Sequence, residues 1–597
     1  MVLDTEQLNY LKKLCEPKML VAAAGSFAWA VVGWFLRRTA PRLMQYLSTP
    51  ARIRQLRQTL SRKPYERPVL ETDEELGDTP WLCVPGARVQ YLGAMTWTQD
   101  FADVEQKDGL HRWGWLLRGI SDSECRLNRT LGMSIMRSWL SLCSDREDLR
   151  TDPYCNAERI ANAAIFLRLT GDGTIPEDMR NALEHMALIL IDRLEYFPGH
   201  RTGNHAFNNG RGIFIAGAVA ENRNMVEIAN EIFRERLPIL ITNDGFLREA
   251  SSHYHFLFTR WVLEVWWFAV AYEEKETQNI IGVYLPKLVE RCWFFLVRSE
   301  VTGTFDIPLI GDISPDCPPD WLISLPWSSI ALAHYKPPEM PNFNSNQQGW
   351  ASLFGISDER SMAYEHTTAV FPNSGWYRLS HGSLILFCFA ESTNGTLRAD
   401  HKHNDLCSFV CFYGGETSII DCGRLDYTSS IHGRYGKSVY AHNSITLDGI
   451  SPCVEPKSWI ASAYSAVRVT TSLSECDSGI HFLLSHDGFR RVMGKRIKHS
   501  RKLTLRHKTL DIEDHIVGGE LLDVRLRFHL AEPPIIGRGP KIRFDSRLRP
   551  AEQSNGEVEG VANLCVREYG VPDLCTTYDL YGQFFAPTLI LNSFDWN

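Results

Sequence analysis

His401-Lys402-His403-Asn404-Asp405 sets two imidazoles and a carboxylate at every second position of a short segment. Read as a strand, the segment sends His401, His403 and Asp405 to one face, because strand side chains alternate with a period of two. Such a face serves proton transfer or coordination of a divalent cation. Further groups follow: Leu406 to Tyr413 is apolar, Gly414-Gly415 turns, Glu416 to Ile420 runs into Asp421-Cys422-Gly423, and another short strand starts after His442. If the ends of these strands align, His403, Asp421 and His442 converge as two imidazoles and one carboxylate. That set suits zinc with one position left for water. Their separations are long-range and match no short metal motif, so a hydrogen-bonded cluster of the same residues is the rival reading.

Two kinds of element must carry these groups. From Trp81 to about Ala363 the apolar period is helical, over Ala157–Leu169, Pro176–Tyr196, Ile213–Ala220, Met225–Ile239, His255–Tyr272 and Asn279–Val297. Repeated helical hairpins of this kind predict an α/α toroid or solenoid. After about Phe371 short β-rich segments take over, and alternation such as Leu503-Thr-Leu-Arg-His-Lys-Thr-Leu-Asp-Ile predicts an antiparallel β-sandwich. The expected division is an arm and linker at 1–80, an α/α toroid at 81–365 and a β-sandwich at 366–597.

Composition narrows the function classes. A chain of 597 residues with 44% hydrophobic and 22% charged residues is a folded, multidomain protein. A net charge of −8, without any Lys/Arg block, argues against nucleic acid as partner. The 15 cysteines are scattered without a CxxC pair, which fits reduced, packed thiols. The uncharged run Met19–Leu36 is just long enough to span a bilayer, yet it contains Gly25, Ser26 and Gly33; a buried helix and a membrane association both remain open. Were it an anchor, the basic residues from Arg37 to Arg67 would place the body in the cytoplasm.

Several motifs in order now resemble the heparinase II/III family of polysaccharide lyases: Gly203-Asn-His-Ala-Phe-Asn-Asn-Gly-Arg-Gly, Arg248-Glu-Ala-Ser-Ser-His-Tyr-His, Ile307-Pro-Leu-Ile-Gly-Asp, Asp400-His-Lys-His-Asn-Asp-Leu, Ile420-Asp-Cys-Gly, Ala441-His-Asn-Ser and Arg527-Phe-His-Leu. The resemblance covers about residues 150 to 530. It implies an α/α toroid followed by a β-sandwich, with an acidic polysaccharide in the cleft between them, and β-elimination at a uronic acid. In that chemistry a proton leaves C5 beside a carboxylate whose charge must be neutralised, while an acid protonates the leaving oxygen. The resemblance assigns the first task to Asn204 and His205, and proton transfer to Tyr254 and His401, leaving open which of the latter two is base and which acid. Arg211, Arg248, Glu249 and Arg434 are the expected substrate contacts, and Arg424, like Arg434, is a candidate for binding a uronate carboxylate. The resemblance also implies one structural zinc ion held by His403, Asp421 and His442, and no organic cofactor.

Bland readings stand beside these. Asn204 can cap a helix, Tyr254 can be a core aromatic on a stripe with Phe258 and Trp261, Asp312 can shape a turn, and Arg424 and Arg434 can be solvated loop charges. Two other functions compete with the lyase: a glycoside hydrolase using Glu249, Asp312 and Asp405, or a non-catalytic factor binding envelope or capsule polysaccharide. The resemblance points to the periplasm or cell envelope; the basic arm and unpaired cysteines point to the cytoplasm or the cytoplasmic face of a membrane.

Overall fold

The computed structural model describes residues 49–62, 65–68, 79–121, 125–143, 152–196, 203–324, 367–392, 401–428, 430–453, 467–489, 497–531, 540–550 and 564–596. Residues 19–36 lie outside these, and so does most of the 1–80 arm. Among the described residues no helix is long and apolar enough to cross a membrane.

The helical part comprises α1 (Ala51–Gln58), α2 (Val104–Arg112), α3 (Trp115–Ser121), α4 (Arg129–Cys143), α5 (Pro153–Leu169), α6 (Glu177–Asp192), α7 (His205–Val219), α8 (Arg223–Leu240), α9 (Ser252–Ala271), α10 (Lys275–Gly282), α11 (Leu285–Phe295) and α12 (Pro319–Ser324). Side-chain caps set several starts: Asp152 accepts from the Cys155 amide with Pro153 in the first turn, and Ser251 accepts from the Tyr254 amide. Helices α5 and α7 are buried almost all round and α9 nearly so, whereas α6 and α8 bury one face. Helix α7 packs on α5, α6, α8 and α9, the two-layer arrangement of an α/α toroid. The expected helix Asn279–Val297 is split into α10 and α11, because Pro286 can occupy a first turn but not a helix interior.

Buried charges join the inner helices. Arg211 of α7 is wholly buried, pairs with Glu158 of α5 at 2.9 Å and with Glu264 of α9 at 3.0 Å, and Glu264 also takes Arg260 at 2.7 Å. Arg211 is therefore a core residue and not the substrate contact expected of it. A guanidinium sealed between two carboxylates has no surface to offer a ligand.

Two short strand pairs, β1 (Trp81–Val84) with β2 (Ala87–Gln90) and β3 (Val297–Arg298) with β4 (Phe305–Asp306), accompany the helices, and the C-terminal part is two antiparallel sheets. The larger orders β17 (Arg549–Pro550), β19 (Val571–Phe585), β15 (Leu521–Ala531), β9 (Glu416–Ile419), β8 (Val410–Tyr413), β7 (Leu384–Phe389), β6 (Trp376–His381) and β5 (Ala369–Phe371), with β10 (Ile445–Leu447) on β15 and β18 (Leu564–Glu568) on β19. The smaller orders β11 (Val469–Cys476), β12 (Gly479–His486), β13 (Lys498–Leu505), β14 (Thr509–Val517), β20 (Thr588–Asp595) and β16 (Lys541–Arg543). One apolar core, including Leu386, Leu503, Ile512, Val524 and Phe594, lies between them, as a sandwich requires. The opposite face of β6 to β8, with Trp376, Phe387 and Phe412, belongs to the same core as the helices, so the two parts share a hydrophobic junction.

Candidate active site and metal centre

The segment that opened the reading is not a strand. Residues 401–409 form turns and irregular backbone, and β8 begins only at Val410. A loop can present neighbouring side chains in different directions, and His401 and His403 reach two different environments.

Helix starts and one loop supply the helical side. Asn204 sits at the start of α7, where its amide donates to Glu249 Oε1 at 2.6 Å. His205, half exposed, is held through Nδ1 by Glu195 at 2.9 Å. Ser251 caps α9 and its hydroxyl also donates to the Asp312 carbonyl at 2.7 Å, which pins the 308–316 loop beside Tyr254. Gly311 makes that approach possible: at φ +80, a Cβ would lie 2.6 Å from the Ala250 carbonyl and 2.9 Å from that of His401. The Asp312 amide then donates to the His401 carbonyl at 3.0 Å, joining the two halves of the molecule at the site.

His401 lies between two carboxylates, with Nε2 3.1 Å from Glu249 and Nδ1 3.1 Å from Asp312. Burial would lower its pKa, but the hydrogen bonds to Asp312 and Glu249 outweigh it and push the value up to about 9. The ring is thus an imidazolium with both N–H groups donating. It stacks on Tyr254, with centroids 3.6 Å and planes 14° apart. Burial raises the Tyr254 phenol well above its ordinary value. Its hydroxyl is 2.8 Å from that of Tyr427, and Tyr427 donates to the Ile313 carbonyl at 2.9 Å, so Tyr254 is the donor of the pair. Arg424 completes the wall, 3.4 Å from Asp312 and over the Tyr427 ring at 4.7 Å.

Asn204, His205, Tyr254 and His401 therefore come together, and Glu249 joins them as the His401 partner, buried rather than presented to a ligand. Arg248 is half-buried, and Arg434 lies exposed on α13 (Ile431–Lys437) without joining the cluster. Sequence reasoning weighed Asp312 as a turn residue and missed Tyr427 and Glu195 altogether. The glycine before Asp312 was the available signal.

Below His401, Asp312 uses its other oxygen to accept from His403 Nε2 at 2.8 Å. His403, Asp421 and His442, all buried, bring ligand atoms within 4.8 Å of one another. Asp421 accepts from His442 Nδ1 at 2.7 Å and from the Gly423 amide at 3.0 Å. His403 Nδ1, His442 Nε2 and both oxygens of the buried Asp405 have no hydrogen-bond partner. Orphaned buried imidazole nitrogens are rare and costly, and a divalent cation satisfies them, so the residues present fit a metal. With a cation held there, Asp312 would be the carboxylate that orients its histidine ligand.

Residues 365–571 match the family described as Heparinase II/III-like, C-terminal. No curated protein matches the chain by sequence. Among solved structures the fold is similar to a heparinase III, at 14% identity and TM-score 0.59 over 83% of this chain and 78% of that one. It is also similar to a mutant heparan sulfate lyase from Pedobacter heparinus, at 13% identity and TM-score 0.51 over 98% of this chain and 91% of that one. With its helical toroid leading into that β-sandwich, the chain has the heparinase III fold and carries a heparinase II/III-like C-terminal domain.

Proposed function

We propose that the protein is a polysaccharide lyase that cleaves a uronic-acid polysaccharide by β-elimination at the junction of toroid and sandwich. The observation that carries this reading is His401, a buried cation clamped by Glu249 and Asp312 and stacked face to face on a protonated Tyr254. Elimination needs positive charge and donors near the uronate carboxylate, where negative charge builds as the C5 proton leaves. Asn204 at the start of α7, the His401 cation and Arg424 supply them. Tyr254 holds its proton in the resting state and donates it to the leaving glycosidic oxygen. His401 has no lone pair to accept the C5 proton, so that role falls to His205, oriented by Glu195.

The hydrolase reading loses its carboxylates: Glu249 spends its oxygens on His401 and the Asn204 amide, Asp312 spends its own on His401 and His403, and Asp405 is buried on the metal side. The cation below the site is read as zinc, holding loops rather than touching substrate. The test is incubation with a panel of uronic-acid polysaccharides, following the ultraviolet absorbance of the unsaturated uronide. New reducing ends without absorbance would instead establish a hydrolase, and binding without either product a non-catalytic factor.

A further inference from the structure

Residues 421 and 422 face different environments. Asp421 turns to the His403–His442 cluster, while Cys422 turns to a small separate core formed with Cys565 and Cys575. The backbone brings these together from three directions. Cys422 accepts at its carbonyl from the Val566 amide at 2.8 Å, which places it beside β18. Cys565 of β18 and Cys575 of β19 are near-diagonal neighbours in an antiparallel pair, Leu564 lying opposite Leu574. His529 of β15 lies opposite Thr577, so it shares a face with Cys575.

Three observations point to an ion. Ligand atoms of Cys422, His529 and Cys575 lie within 4.8 Å of one another, and all three residues are buried. The Cys422 and Cys575 sulfurs are 3.9 Å apart; a tetrahedral zinc with bonds of about 2.3 Å spaces two sulfurs by about 3.8 Å. His529 Nδ1 is engaged by Thr577 at 2.9 Å, while its Nε2, fully buried, has no hydrogen-bond partner, the Tyr440 carbonyl lying near the ring. One nitrogen held by a neighbour and the other left open is the arrangement of a metal-ligating histidine.

We propose that Cys422, Cys575 and His529 form a second metal site for a soft divalent cation of the zinc class, with Cys565 beside it as the fourth donor. Binding displaces the thiol protons to solvent and leaves thiolates on the ion, with no change of oxidation state. The ion would tie β15, β18 and β19 to the segment that carries Asp421, Arg424 and Tyr427 into the cleft. The two sites differ in donor atoms, since only this one contains sulfur.

Cobalt(II) titration of the reduced full-length protein separates them. The expected result is two equivalents bound, with a thiolate-to-cobalt charge-transfer band in the near ultraviolet that persists in His403→Ala and disappears, with one equivalent, in Cys575→Ser. A second measurement needs no variant: zinc should shield the peptides carrying Cys422 and Cys575 from alkylation, and a chelator should remove the shield. Absence of the charge-transfer band together with zinc-independent alkylation overturns the site. A cross-linked peptide joining Cys575 to Cys422 or Cys565 in the protein as isolated also overturns it.

Discussion

Beneath the cleft, His403, Asp421 and His442 bring ligand atoms within 4.8 Å of one another; in the sandwich core, so do Cys407, His486 and His499. The second cluster is already complete. His486 Nε2 meets His499 Nδ1 at 2.9 Å, His486 Nδ1 accepts from the Gly488 amide at 3.1 Å, and His499 Nε2 meets Asp514 at 2.8 Å. Asp514 in turn takes Arg501 through two oxygens, at 2.8 and 3.0 Å. In the first cluster two imidazole nitrogens are left over, and the neighbouring Asp405 carboxylate is unspent as well. Composition and proximity do not separate a metal centre from a structural network; unspent hydrogen-bonding capacity does.

The sharpest way to break this contrast is Asp312, whose two oxygens bond His401 and His403. Asp312→Asn should lower turnover by about 10²–10⁴-fold, the usual span for losing positioned acid–base chemistry. It should also weaken metal affinity about 10–100-fold through the loss of the His403 partner. Uronide absorbance and metal titration on one preparation check both, and a D312N protein that loses only one of the two properties would uncouple the sites. His401→Ala should likewise cost activity with the metal retained, whereas His403→Ala should release the metal and lower the melting temperature. Equal metal content in those two variants would defeat the division between them.

The complete cluster should respond in the opposite sense. Asp514→Asn leaves Arg501 a buried charge with weaker partners, and should destabilise the sandwich by about 3–5 kcal/mol while metal content at the cleft stays at the wild-type value. Urea unfolding gives the first quantity and metal analysis the second. A fall in bound metal at full occupancy of the folded state would show that the core cluster holds an ion after all.

Much of this was legible in the residues, and the failures have physical causes. Helical and strand periods gave the order of the architecture, a helical part followed by antiparallel sheets, because most elements bury one face and leave a period to read, as in α6, α8 and β14. The start of α7 was missed: Asn208, Asn209 and Arg211 are polar yet buried, and a helix buried on all sides has no amphipathic period. The His401–Asp405 alternation was a false strand signal, since polar spacing cannot tell a pleat from a loop that aims its side chains separately. His403, Asp421 and His442 nonetheless converge, because donor chemistry survives a wrong backbone. Asp312 was undervalued for the reason that Gly-Asp usually means a turn; its role depends on two contacts, to His401 and His403, about ninety positions away in sequence.

The smallest effect separates buried histidines that belong to no ligand cluster from the candidate metal ligands by acid. His255 accepts the Leu247 amide through Nδ1 at 3.2 Å and reaches the Leu288 carbonyl through Nε2 at 3.0 Å, and His253 Nδ1 accepts the Ser314 amide at 3.0 Å. Burial lowers their pKa values to about 4 and about 3. Both folded values lie below the unfolded value of about 6.5, so the unfolded chain takes up protons first. Their contribution is fully present above that pH and is lost as acid approaches the folded values, on the order of 2 kcal/mol for each histidine by pH 5. No metal is involved, so a chelator should leave this share unchanged, whereas the acid sensitivity of the His403–His442 cluster should depend on the ion. His255→Asn keeps an acceptor or donor but cannot titrate. It should flatten the dependence of stability on pH between about 6.5 and 4 by about 1.4 kcal/mol per pH unit, with or without chelator. An unchanged slope would mean that His255 does not titrate on unfolding, and the acid response would then belong to the metal side alone.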